Sequence, residues 1–148
     1  MKSLRTRSFE EIETKHFHGA FAYDEVPALP EGEWSIIVNT ASSSNPGEHW
    51  IAIVFKDGVT YFMDSFGREL NLRETTFSPE FVNKMKSITR GYLVNNRKLL
   101  QQLTSNACGY YAVYFVERLT VESLKKTLQP FSENLKQNDM YVYNYCLS

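Results

Sequence analysis

The sequence predicts an α+β fold: a small central mixed or antiparallel β-sheet flanked by helices, with a cysteine at the N-terminus of a buried helix. Two stretches and one bulk property carry that prediction. His49 to Phe55 and Val59 to Asp64 are apolar, β-prone runs separated by Lys56-Asp57-Gly58, the signature of a tight hairpin. Asn106-Ala107-Cys108-Gly109 then delivers a thiol to the start of Ala112, Val113, Phe115, Val116 and Leu119, apolar positions that fit a helix inside a domain. With 148 residues, 43% hydrophobic and 22% charged, the chain has the apolar content for one globular domain over residues 1–148.

The elements follow in order. Ser8-Phe9-Glu10-Glu11 is a capping-box pattern and predicts a short helix from Ser8 to Lys15. Phe17 to Tyr23 reads as extended and ends at Asp24-Glu25-Val26-Pro27, with Pro30 and Gly32 marking a loop. Trp34 to Asn39 barely alternates, as expected of a strand covered on both faces. Ala41 to Gly47 is a Ser/Asn/Pro/Gly surface loop. Ser78-Pro79-Glu80 starts a helix reaching Ile88, and Tyr92-Leu93-Val94 forms a short strand. The C-terminal part predicts a helix near Val121 to Leu128, stopped by Pro130, and another from about Asp139, capped by Asn138.

A two-residue Asp57-Gly58 turn pairs residues whose numbers sum to 115, so Ile51 opposes Asp64 and Ile53 opposes Phe62. His49 and Asp64 then share a face as diagonal neighbours, roughly 7–8 Å apart at the backbone and within side-chain reach. A helix N-terminus favours the thiolate form of Cys108 through its free N–H groups and dipole, and Gly109 lets another chain pass close by. His49 is placed to take the thiol proton, and Asp64 to accept the other ring N–H. Gln101 or Gln102, with the Cys108 backbone N–H, supplies oxyanion donors, and Trp50 a wall against solvent. Together these residues make a cysteine hydrolase set.

Other chemistries lack their residues. The two cysteines, Cys108 and Cys146, make no disulfide framework, and His16, His18 and the cysteines have no metal-ligand spacing, so neither a metal nor another required cofactor is expected. The sequence contains no phosphate-binding loop, dinucleotide fingerprint or serine nucleophile elbow. No run of 18 apolar residues is present, and Met1 to Arg7 has no apolar segment, which leads us to expect no membrane association and no secretion. A net charge of −1 hides one asymmetry: from Phe81 to Val116 there is no acid, while Lys84, Lys86, Arg90, Arg97 and Lys98 are candidate contacts to DNA or another anion.

Taken together, Val38-Asn39-Thr40-Ala41, Gly47-Glu48-His49-Trp50, Met63-Asp64-Ser65-Phe66-Gly67, and Gln101 with Ser105-Asn106-Ala107-Cys108-Gly109 resemble the adenovirus maturation proteases. They look closer still to the related proteases of virophages and Polinton/Maverick elements. Phe17 to Pro27 is similar to that family's N-terminal element, and the order His, Asp, Cys also fits the wider clan of ubiquitin-like-protein proteases. The resemblance implies His49, Asp64 and Cys108 as a triad, and Gln101 in preference to Gln102 for the oxyanion. It implies cleavage of viral precursor proteins, such as capsid proteins, at Gly-containing sites during virion maturation, inside the host cell and the particle. Stimulation by DNA or a peptide is a further expectation. The alternatives are an isopeptidase for ubiquitin or a ubiquitin-like modifier, and a non-catalytic binding module on a protease fold.

Overall fold

The computed structural model describes residues 5–70 and 75–147. Five strands form one sheet in sequential order: β1 (Phe17–Ala22), β2 (Trp34–Asn39), β3 (Trp50–Lys56), β4 (Val59–Met63) and β5 (Tyr92–Asn95). The central β3 is antiparallel to both β2 and β4, and each edge strand runs parallel to its neighbour. The sheet is therefore mixed, one of the two arrangements that the sequence leaves open. Its helices are α1 (Pro79–Ile88), α2 (Cys108–Val121), α3 (Leu124–Leu128) and α4 (Leu135–Cys146). None of them is long and apolar enough to cross a membrane, among the described residues.

Side-chain alternation divides the core in two. Ile37, Ala52, Val54 and Met63 face α2, whose Ala112, Val113, Phe115, Val116 and Leu119 are all buried, with Val142 and Cys146 of α4 behind them. Ile36, Val38, Ile51, Ile53 and Phe62 point the other way, onto Phe77 and onto Phe81 and Met85 of α1. Every residue of β2 is buried, which is why its sequence shows no polar alternation.

The hairpin register is the one the turn dictates. Ile53 faces Phe62 and Ala52 faces Met63, and the turn residues Asp57 (φ 50°) and Gly58 (φ 74°) both occupy the left-handed region that such a tight turn needs. Ser78 caps α1 by accepting the Phe81 N–H at 3.2 Å.

Three local expectations are corrected. The capping box at Ser8 forms, with Ser8 N–H donating to Glu11 Oε1 at 3.0 Å, but it closes only a single 3₁₀ turn, Phe9–Glu11. One short turn has too few hydrogen bonds to propagate a helix, and Ile12 leaves it to enter the core. The helical stretch expected near Val121 to Leu128 divides: α2 runs to Val121, and α3 starts afresh with Ser123 accepting the Lys126 N–H at 3.1 Å. The last helix begins at Leu135, capped by Asn134, four residues before the expected start at Asp139. Asn138 lies inside that helix, buried, with its amide donating to the carbonyls of Leu100 and Ser132, so a residue that looks like a cap acts as a tertiary clamp.

Candidate active site

The candidate site lies at one end of the hairpin, where it meets the start of α2. His49 directly precedes β3, and its carbonyl accepts from Thr40 N–H at 2.9 Å, which continues the β2–β3 ladder by one step. The buried Asn39 carboxamide holds both ends of the neighbouring loop by accepting the N–H of Ala41 at 2.9 Å and of Glu48 at 3.0 Å. Asp64 directly follows β4, and the hairpin register places it beside His49. His49 Nε2 and Asp64 Oδ1 are 2.7 Å apart, the ring 7% exposed and the acid fully buried. Asp64 Oδ1 also accepts from Phe66 N–H at 3.0 Å.

With Nε2 occupied by Asp64, the other ring nitrogen of His49 is the one left to serve Cys108, whose pKa His49 lowers. Burial pushes the Cys108 thiol up, but hydrogen bonds from His49 and from the Trp50 and Gly109 backbone N–H groups bring its pKa below the ordinary value. No side chain caps α2, whose first turn contains no acid, so its positive end faces the sulfur without competition. Burial likewise opposes charging His49, yet the bonds to Asp64 and Cys108 outweigh it and raise the ring's pKa. In Asp64, His49 and Arg68 overcome burial and hold the carboxyl below its usual range. Cys146 is the opposite case: it is completely buried on α4, and burial pushes its thiol up to about 11.

The two candidate glutamines are placed differently. Gln101 is buried, its Oε1 accepting from Ser65 Oγ at 2.6 Å and its amide donating to Ser105 O at 3.0 Å and Ser105 Oγ at 3.2 Å. Gln102 turns to α4 and donates to Asp139 Oδ2 at 3.1 Å. Gly67 allows the Gln101 segment to approach the acid. At φ 74°, a Cβ on Gly67 would sit 2.6 Å from the Lys98 carbonyl carbon. Asn96 Nδ2 then reaches Asp64 O at 2.7 Å, and Leu100 N–H reaches Ser65 O at 2.9 Å.

The ring stacked on His49 is Phe66, at 4.6 Å and 14°. Trp50, expected to wall the site, borders Gly109 and makes an edge contact with Phe9 at 5.0 Å. The group passing close to Gly109 is the Phe9 ring, 3.5 Å from where a Cβ would stand, so a methyl there would meet ordinary contact rather than a clash. Phe9, Phe66 and Arg68 went unassigned in the sequence. Only Arg68 left a local trace, four residues after Asp64.

His16 and His18 are exposed at β1 whereas Cys146 is buried in α4, and among the described residues no three His, Cys, Asp or Glu side chains group as a metal site. Of the basic residues, Arg90 donates to the carbonyls of Leu29 and Pro30, and Arg97 pairs with Glu69 at 2.7 Å. Lys84 and Lys86 are on α1, while Lys98 lines a separate cleft with Lys125 and Lys126. A run that is continuous in sequence is thus divided in space.

The family model of the adenovirus endoprotease, Peptidase_C5, matches residues 14–134. The chain belongs to the adenovirus endoprotease family. That span takes in the hairpin, the Asp64 turn, the Gln101 segment and α2. No curated protein matches the chain. Two crystal structures of the ASFV pS273R protease, one of them the selenomethionine form, are similar to it. The selenomethionine structure is 17% identical, with 77% of this chain and 44% of that one covered, at a TM-score of 0.46. The other is 14% identical, with 86% and 59% covered, also at 0.46. The chain thus spans about half the length of these relatives.

Proposed function

We propose that this chain is a cysteine endopeptidase that cleaves viral precursor proteins, capsid proteins among them, at Gly-containing sites during virion maturation. It acts in the host cell and the assembling particle. The observation that carries this reading is His49 held by the buried Asp64 at 2.7 Å while it interacts with Cys108 so that the thiol pKa is lowered and the imidazole pKa raised, the condition for a thiolate–imidazolium pair.

In this mechanism the Cys108 sulfur attacks the scissile carbonyl, and the oxyanion is held by the Cys108 backbone N–H and by Gln101. The Gln101 amide proton now on Ser105 Oγ, in the longer of its two bonds, turns to that oxygen. His49 gives its proton to the departing amine, leaving a thioester on Cys108. It then takes a proton from water, whose oxygen attacks the thioester and releases the acid product. Asp64 keeps Nε2 protonated, so the nitrogen facing Cys108 is the one that exchanges protons. The Phe9 and Trp50 rings beside Gly109 support a narrow approach to the sulfur, which favours glycine in the substrate.

The test is cleavage of the precursor capsid protein and, in parallel, of a ubiquitin-like fusion, by wild type and by Cys108→Ala, each with and without DNA and candidate peptides. Capsid cleavage that disappears in the variant is expected. Cleavage of the fusion alone would indicate an isopeptidase, and no cleavage of either a binding module. A rate increase with DNA would give Lys84, Lys86, Arg90, Arg97 and Lys98 a role.

A further inference from the structure

The triad reading uses one oxygen of Asp64. The other, Oδ2, accepts a hydrogen bond from Arg68 Nε at 2.7 Å. We propose that Arg68 is a positioning residue for the catalytic acid: it holds Oδ2 so that the carboxylate presents Oδ1, with its negative charge, to His49. This rests on the proposed role of Asp64.

The backbone is shaped for the contact. Gly67 N–H donates to Asp64 O at 2.8 Å, closing a turn that brings Arg68 back over the residue four positions before it. The guanidinium then lies over two rings, 4.5 Å from the centre of Phe77 and 5.5 Å from that of Phe66. Phe66 is itself stacked on His49 at 4.6 Å. Phe77 is fixed from below by Phe62 of β4 and Phe81 of α1, at 5.7 and 5.0 Å. Arg68 is therefore held by packing, and it holds the acid. A flexible ammonium would give the same charge without the planar Nε–H donor or the stacking face.

Asp64 has no solvent contact, so without Arg68 its Oδ2 becomes a buried acceptor with no described partner. The charged and titratable groups around this point are His49 and Glu48 before β3, Cys108 of α2, Glu80 of α1, and Tyr23. Glu48, Glu80 and Tyr23 line, with Arg68, a cleft of about 400 Å³. Arg68 is the cation in that set that bonds Asp64 besides the imidazolium. Removing it takes positive charge from a carboxylate, a thiolate and an imidazolium together, so all three groups bind their protons more tightly. Both limbs of the pH–rate profile then move upward, by about 0.5–1 pH unit for a partly screened charge at this range.

The experiment compares wild type, Arg68→Met and Arg68→Lys in three assays: kcat and KM against pH, iodoacetamide alkylation of Cys108 against pH, and NMR titration of His49 in the Cys108→Ala background. A thermal melt of each variant accompanies them. Arg68→Met is expected to lower kcat about tenfold with KM nearly unchanged, to move the acid limb up, and to raise the His49 midpoint. Arg68→Lys, which keeps the charge and loses the Nε–H donor and the planar stacking face, is expected to keep the limbs in place and recover part of kcat. Unmoved limbs and an unmoved His49 midpoint in Arg68→Met leave Arg68 a packing residue, and full recovery of kcat in Arg68→Lys leaves it a charge without a positioning role; either result overturns the proposal. If wild type neither cleaves nor alkylates preferentially at Cys108, the protease reading fails by itself. The His49 titration in Cys108→Ala needs no activity and still decides whether Arg68 bears on the ionisation of His49.

Discussion

Replacing Asp64 with asparagine is nearly isosteric, yet the hydrogen bonds around it forbid both orientations of the new amide. The carboxylate accepts three bonds from outside its own backbone: from His49 Nε2 at 2.7 Å and Phe66 N–H at 3.0 Å on Oδ1, and from Arg68 Nε at 2.7 Å on Oδ2. An amide has one acceptor side. If its oxygen keeps His49 and Phe66, its NH₂ meets the Arg68 N–H, donor against donor. If the oxygen keeps Arg68, the NH₂ meets the Phe66 N–H and requires a bare lone pair on His49 Nε2. The proton then moves to the nitrogen that faces Cys108, which can no longer accept from the thiol. The first orientation keeps the His49 bond but replaces the carboxylate's charge with a neutral oxygen and sets a donor against Arg68, a loss of about 1.5–3 kcal/mol, or roughly 10- to 150-fold in the thiolate–imidazolium population. The second inverts the tautomer, where losses of about 10⁴-fold are known in triads. We therefore expect kcat to fall by about 10²–10⁴, with KM changing little. Stability also changes with pH. Asp64 has a depressed folded pKa, so its contribution is present above the unfolded carboxyl pKa near 4 and is lost as pH falls through the lower folded value. The gap in stability between wild type and Asp64→Asn should accordingly be full at pH 7 and narrow below about pH 4. Steady-state kinetics and denaturant melts at several pH values measure both. A variant within threefold of wild-type kcat, with an unshifted pH profile, would refute the assigned role of Asp64.

Other perturbations read other parts of the site. At pH 7 a thiol of pKa about 11 is roughly 10⁻⁴ ionised, whereas an ordinary thiol is ionised to about a few per cent and Cys108 is shifted further toward the thiolate, so iodoacetamide followed by peptide mapping should label Cys108 at least about 100-fold faster than Cys146. Equal labelling would remove the case for an activated thiol. Gln101→Ala should cost about 10²–10³ in kcat, the usual worth of an oxyanion donor, while Gln102→Ala, whose amide serves Asp139, should leave kcat within a few-fold. The reverse order would move the oxyanion role to Gln102. Gly67→Ala must fit a methyl 2.6 Å from the Lys98 carbonyl carbon at a positive φ, so we expect a loss of about 2–4 kcal/mol in a denaturant melt. An unchanged melt would mean that the Asp64 turn and the Lys98 segment are not held in this contact.

The parts of this site that the sequence discloses are those set by short-range rules. An Asp-Gly turn fixes the ladder, the ladder places His49 and Asp64 on one face, and an apolar helix with no acid in its first turn gives Cys108 its electrostatic setting. The hidden parts depend on which distant residues meet. Asn134 and Asn138 are equally good caps by local rules, and only the Asn138 bonds to Leu100 and Ser132 decide between them. Gln101 and Gln102 are adjacent and chemically identical, and what separates them is Ser65 on one side and Asp139 on the other.

The same distinction explains why the acid stands just past the end of β4. Inside the strand, Asp64 would have its backbone in the ladder and its side chain confined between neighbours. One residue beyond Met63, its carbonyl is taken by Asn96 and by the turn to Gly67, and the chain can fold Phe66 and Arg68 back around the carboxylate. A strand end thus gives a buried acid a full set of donors that no strand interior offers. It also aligns one oxygen with the histidine just before the partner strand, because the hairpin register has already put that histidine within reach.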